Sequence, residues 1–140
     1  MALTQASSSD RYQHLGALIC DAAEMLKPPE RLAVADAAEK YVWLNNPPVY
    51  TGPWQNSKTP YMVDPMNVLV SREYNAEVFV GPAQAGKTES LLLNWISYSV
   101  VCDPADIMVV QTTQSEAQDF SRCRVDRLNR NSTEVGRRLM

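Results

Sequence analysis

The chain has 140 residues, a formal net charge of −3 and three cysteines. The length suits one domain, or part of a larger one, and allows a buried core, and the mild acidity excludes a globally basic nucleic-acid binder. The wide spacing of Cys20, Cys102 and Cys123 excludes a disulfide framework and a cysteine metal site, and points to a reducing, intracellular compartment.

Residues 1–10 are polar and serine-rich, a composition expected to stay disordered, and Asp10 can cap a helix starting at Arg11. No secretory signal is legible there, because a basic start and an apolar core are both missing. Apolar residues then recur at Tyr12, Leu15, Leu18/Ile19, Ala22/Ala23 and Leu26, which is helical spacing. His14, the only histidine, falls on this helix with no other ligand type beside it and reads as a surface or packing residue. Pro28 and Pro29 stop the helix. A second helical pattern runs from Arg31 to Leu44 and breaks at Asn45-Asn46-Pro47-Pro48. Residues 45–60 read as a long irregular segment anchored on the core by Trp54. A short helix is expected after Thr59-Pro60, with Asp64 as its N-cap and Pro65 at its first position. Residues 11–57 thus form a helical region with a loop, and residues 58–140 begin a second unit.

That second unit is built around Gly81-Pro82-Ala83-Gln84-Ala85-Gly86-Lys87-Thr88, which fits the phosphate-loop pattern G-x-x-x-x-G-K-[ST]. An apolar run at residues 76–80 precedes it as an expected strand, and a helix of about Lys87 to Val101 comes after it, closed by Pro104. The glycines let the backbone approach a ligand, and successive amides form an anion cradle at the start of a helix. Lys87 would meet the β- and γ-phosphates of ATP, Thr88 would place its hydroxyl on Mg²⁺, and Gly81, Gln84, Ala85 and Gly86 would line the cradle. Asp106-Ile107-Met108-Val109-Val110-Gln111 reads as a second strand buried on both faces. Thr113 and Glu116 form a capping-box pair at the start of the next helix. The fold class expected is therefore α/β, with an incomplete, helicase-like P-loop NTPase core of parallel βαβ type after an α-helical N-terminal region.

Several stretches together resemble the N-terminal ATPase region of the large terminase subunit of tailed bacteriophages, the lambda-type DNA-packaging motor. They are Pro28-Pro29-Glu30-Arg31-Leu32-Ala33-Val34, Lys58-Thr59-Pro60-Tyr61 with Asp64-Pro65-Met66, and Val80-Gly81 through Glu89 with Leu91-Leu92-Leu93-Asn94-Trp95-Ile96. The last is Val109-Val110-Gln111-Thr112-Thr113 through Ser121. The likeness spans about residues 28–130. It implies ATP-driven translocation of double-stranded DNA into a capsid in the host cytoplasm. It also implies a homo-oligomeric motor, a portal or procapsid and a small terminase subunit as partners, and an endonuclease domain elsewhere in the full protein. By the same likeness Tyr61 is placed to touch adenine; a packing tyrosine is the other reading. Gln111-Thr112-Thr113 resembles a helicase-like coupling motif; a plain helix cap is the other reading.

The chain departs from the family in two ways. Ala83 stands where some packaging ATPases carry an arginine, so a charge-stabilising arginine must come from elsewhere. No later strand ends in consecutive carboxylates, so the chain reads as the front portion of a longer protein that would not hydrolyse ATP alone. A helicase-like ATPase and a non-catalytic module docking the small terminase subunit are the competing functions. The arginines between Arg122 and Arg138 favour a solvated helix face with local ion pairs over a DNA contact. Trp43, Trp54 and Trp95 are expected in the core.

Overall fold

The computed structural model describes residues 15–20, 22–23 and 26–139. The expectations for residues 1–10, the Asp10 cap and His14 fall outside the described residues. Residues 15–20 are helical, as the spacing predicts, but Leu15, Leu18 and Ile19 remain exposed. The core starts with α1, Val34–Tyr41, which buries Val34, Ala35, Ala37 and Ala38. Alanine at three of those positions keeps that face of α1 flat, so neighbouring elements can pack close to it. The unpaired Ala35 amide in its first turn is taken up by Asn67 Oδ1 at 3.1 Å.

Residues 43–53 depart both from the helix expected to reach Leu44 and from the irregular segment expected from residue 45. Trp43–Asn46 (β1) and Tyr50–Pro53 (β2) form an antiparallel hairpin with Trp43 opposite Pro53 and Asn46 opposite Tyr50. The helix expected from Arg31 to Leu44 ends already at Tyr41, and Asn45-Asn46-Pro47-Pro48, rather than breaking it, closes β1 and turns the chain back on itself. Pro53 is tolerated because the sheet has only these two strands, leaving each with an open edge. The Trp43 amide donates to Ser132 Oγ at 3.1 Å, which fixes the hairpin to the C-terminal helices. Trp43 itself is exposed, against expectation, and Trp95 is half-buried. Trp54 anchors the next loop as expected: it is buried, its indole N–H donates to Asn56 Oδ1 at 2.8 Å, and its amide donates to Val42 O.

A 3-10 turn at Pro60–Met62 runs straight into α2, Val63–Val68, and both Met62 and Met66 are fully buried. The helix thus begins earlier than Asp64 predicts. Asp64 and Pro65 lie in its first turn, where a proline costs no helical hydrogen bond. The helix after the phosphate loop, α3, is π-wound over Thr88–Leu93 and α-helical over Asn94–Val101. It buries Leu93, Ile96 and Val101 against α1 and the later helices. One long helix, α4, comes next in three parts, Gln114–Asp119, a π-wound Phe120–Val125 and Asp126–Asn131. The last helix, α5, spans Thr133–Leu139, and Leu128 and Val135 complete the core.

The parallel βαβ sheet is not formed among the described residues, where the hairpin is the only sheet and most of the regular structure is helical. Residues 76–80 and 106–111 pair with nothing as strands. Nor are they buried on both faces. Phe79, Ile107 and Val109 pack on the core, while Val78, Val80, Met108 and Val110 are exposed. An apolar run becomes a strand only where a partner takes up its backbone groups. Among the described residues no helix is long and apolar enough to cross a membrane.

Candidate nucleotide-binding site

The loop at residues 81–88 bridges the Phe79 contact on the core and the start of α3. At Gly81 a Cβ would sit 2.8 Å from the Phe79 ring, so any larger residue would have to push that ring aside. Gln84 and Gly86 both have positive φ, 58° and 77°, with Ala85 between them on the ordinary side. Alternation of this kind turns successive amides toward one side, the geometry of an anion nest. Gly86 O then accepts from the Ser90 amide at 2.9 Å and begins the helix.

Lys87 folds back across the loop. Its Nζ donates to Gly81 O at 3.0 Å and to Pro82 O. The ammonium is therefore held at the mouth of the loop by two carbonyls that a phosphate oxygen can replace. Tyr61 Oη donates to Ala85 O at 3.2 Å, while the tyrosine is 57% exposed. The 3-10 turn before α2 thus reaches the loop, and the ring of Tyr61 stands beside it rather than in the core.

Thr88 lines a cleft of about 480 Å³ together with Gln111, Thr112 and Arg124. The end of the expected second strand and the phosphate loop are thereby brought together. Thr113 caps α4: its Oγ1 accepts from the Glu116 amide at 3.2 Å. The reciprocal half of the capping box is not made, because the Glu116 carboxylate takes the Thr112 hydroxyl instead. Among the described residues no three metal-ligating side chains gather in one place, so Thr88 stands without a protein ligand cluster. A second cleft, of about 500 Å³, is lined by Lys27, Glu30, Lys40, Glu134 and Arg138 and shares no residue with the loop. Its charges largely satisfy one another, as in the Lys40–Glu30 pair, which the Tyr41 hydroxyl also joins.

Glu89 was not legible as a site residue. Its Oε1 accepts from Arg124 Nη1 at 2.7 Å and from Arg127 Nη2 at 2.9 Å, joining α3 to α4. The available signal was weak: two arginines three apart share one helix face, and an acid stands directly after the G-K-T triplet. Other arginines do form the local pairs expected, such as Arg137–Glu134 and Arg130–Asp126.

Glu77, just before the loop, has a carboxylate oxygen that is buried without a hydrogen-bond partner. Burial holds its carboxyl above the usual value of 4.5. The folded chain thus binds this proton more tightly than the unfolded chain. Stability from this group is fully present below the unfolded value and is lost as pH rises through the folded one. Glu77→Gln should therefore raise the melting temperature at about pH 7, with the gain fading toward about pH 4. Thermal melts across that range check the sign; a gain that grows on acidification would refute it.

Residues 49–140 match the family model described as phage terminase large subunit gpA, ATPase domain. The chain belongs to this family. Membership covers the loop, Tyr61, the Gln111-Thr112-Thr113 turn and both arginines of the Glu89 cluster. It implies ATP as the nucleotide and a role in phage DNA packaging. No curated protein and no solved structure is significantly similar to this terminase chain.

Proposed function

We propose that this terminase chain is the ATP–Mg²⁺-binding part of a motor that drives double-stranded DNA into a capsid. The observation that carries the reading is the loop itself, where left-handed Gln84 and Gly86 flank Ala85 and Lys87 stands over the mouth. When bound, ATP with its magnesium ion supplies the energy of phosphoryl transfer. The chain's own residues hold it: the loop amides and Lys87 take the phosphates, and the Thr88 hydroxyl takes the metal ion. Tyr61 offers an exposed ring against the loop, which supports an adenine contact.

The exposed apolar residues Val78, Val80, Met108 and Val110 support a P-loop core in which residues 76–80 and 106–111 pair as parallel strands. The exposed Leu15, Leu18 and Ile19 support the first helix as the face that docks the small terminase subunit. Removing residues 1–45 should end co-purification with that subunit, and unchanged recovery would refute the docking.

The nucleotide site is tested by Thr88→Ala. In the wild-type chain a fluorescent ATP analogue should bind more weakly once magnesium is chelated. In Thr88→Ala the same weakening should already be present, with chelation adding little. Full magnesium dependence in the variant would remove Thr88 from the site.

A further inference from the structure

Among the described residues, Arg124 is the one cationic side chain that lines the cleft shared by Thr88, Gln111 and Thr112. Thr88 marks the side of the loop where the metal ion and terminal phosphate belong. Arg124 does not lie free there: Glu89, the residue next to Thr88, holds it at 2.7 Å. The same carboxylate oxygen also holds Arg127, so two guanidinium groups share one acid and the cluster carries an excess positive charge. Glu116 and Asp119 line the cleft too, and Glu116 is engaged by the Thr112 hydroxyl. The Glu89 pairs are only partly exposed, with side-chain exposures of 26% for the acid and 44% and 35% for Arg124 and Arg127. Arg124 is the more accessible of the two and the only one in the cleft.

We propose that Arg124 is the residue by which this chain tells ATP from ADP, and that Glu89 holds it in reserve by competing with the terminal phosphate. The inference rests on the nucleotide-site reading above. A guanidinium suits both partners, since carboxylate and phosphate each accept its planar donors. Arg127 stays on Glu89 and keeps the acid neutralised when Arg124 turns to the phosphate. Glu89 is thus a positioning residue. The arrangement gives the chain a terminal-phosphate arginine of its own, from α4, beside the loop lysine Lys87, where Ala83 leaves the loop without an arginine.

The test is calorimetry with Mg-ATP and Mg-ADP on the full chain and on Arg124→Gln, Arg127→Gln, Glu89→Gln and Lys87→Ala. Arg124→Gln should weaken ATP by about 10-fold, the order of one charge-assisted hydrogen bond, and leave ADP unchanged. Arg127→Gln should lower the ATP-to-ADP ratio, though less than Arg124→Gln does, because Glu89 then has only Arg124 to hold. Glu89→Gln should raise the ratio, because the competitor is weakened. A merely structural ion pair would instead move both nucleotides together and give Glu89→Gln and Arg124→Gln effects of the same sign; either result overturns the proposal. Arg124→Lys keeps the charge and should retain part of the ratio, so it replaces Arg124→Gln if that variant fails to fold. Loss of both nucleotides in Lys87→Ala with an unchanged ratio in Arg124→Gln would overturn this inference alone. No binding by the folded wild-type chain would overturn the nucleotide-site reading and this inference with it.

Discussion

Lys87→Ala is expected to weaken Mg-ATP binding by at least about 100-fold, while the helical content of the chain stays unchanged. The magnitude comes from the bonds Lys87 can make. Its ammonium now sits on Gly81 O and Pro82 O, two neutral carbonyls of its own loop. On binding, the same donors would move to charged phosphate oxygens. Each charge-assisted bond contributes about 1.5–3 kcal/mol, and about 1.4 kcal/mol is tenfold in affinity. Alanine removes the charge and every donor at once. The fold should survive, because Lys87 is only half-buried and contributes nothing to the apolar core. Circular dichroism beside the titration separates the two effects. Full affinity in a folded Lys87→Ala chain would remove the loop lysine from the site.

Met66→Ala should cause the largest loss of stability, about 2–5 kcal/mol. Met66 is fully buried in α2, with Met62 beside it and α1 and α3 packed against the same helix. Truncation leaves a cavity that three packed helices cannot easily close. It also takes the thioether from Asn94 Nδ2, which lies 3.4 Å from the sulfur, on a side chain whose Oδ1 already lacks a partner. Both changes add to the cost. The melting temperature should fall by roughly 10 °C. Met108→Ala is the control, since Met108 is 85% exposed and should leave the melt unchanged. Equal effects of the two substitutions would mean that the core lies elsewhere. The link to function is direct, because the turn before α2 carries Tyr61 onto the phosphate loop.

Legibility in the sequence depended on how local each cause is. The turn at residues 81–88 was legible because its motif fixes residue types at neighbouring positions: Gly86 takes a positive φ, and a Cβ at Gly81 would meet the Phe79 ring. The Thr113 cap was legible for the same reason, since donor and acceptor are three residues apart. The π-wound opening of α3 left no comparable trace in the spacing of its apolar residues. The hairpin at β1 and β2 was missed because Asn-Asn-Pro-Pro signals a break but does not say that Trp43 and Pro53 will pair across it. The strands expected at residues 76–80 and 106–111 were apolar enough, yet a strand is a property of two segments and their composition cannot supply the partner. Glu89 meets arginines 35 and 38 residues away, a separation that no spacing rule within one helix can reach.

The most direct measurement is isothermal calorimetry of Mg-ATP against the purified chain, with folding shown beforehand by circular dichroism. The predicted result is a saturable isotherm with one ATP per chain. A flat trace from a folded chain would contradict the account, because a loop with this backbone and this lysine would then hold no phosphate.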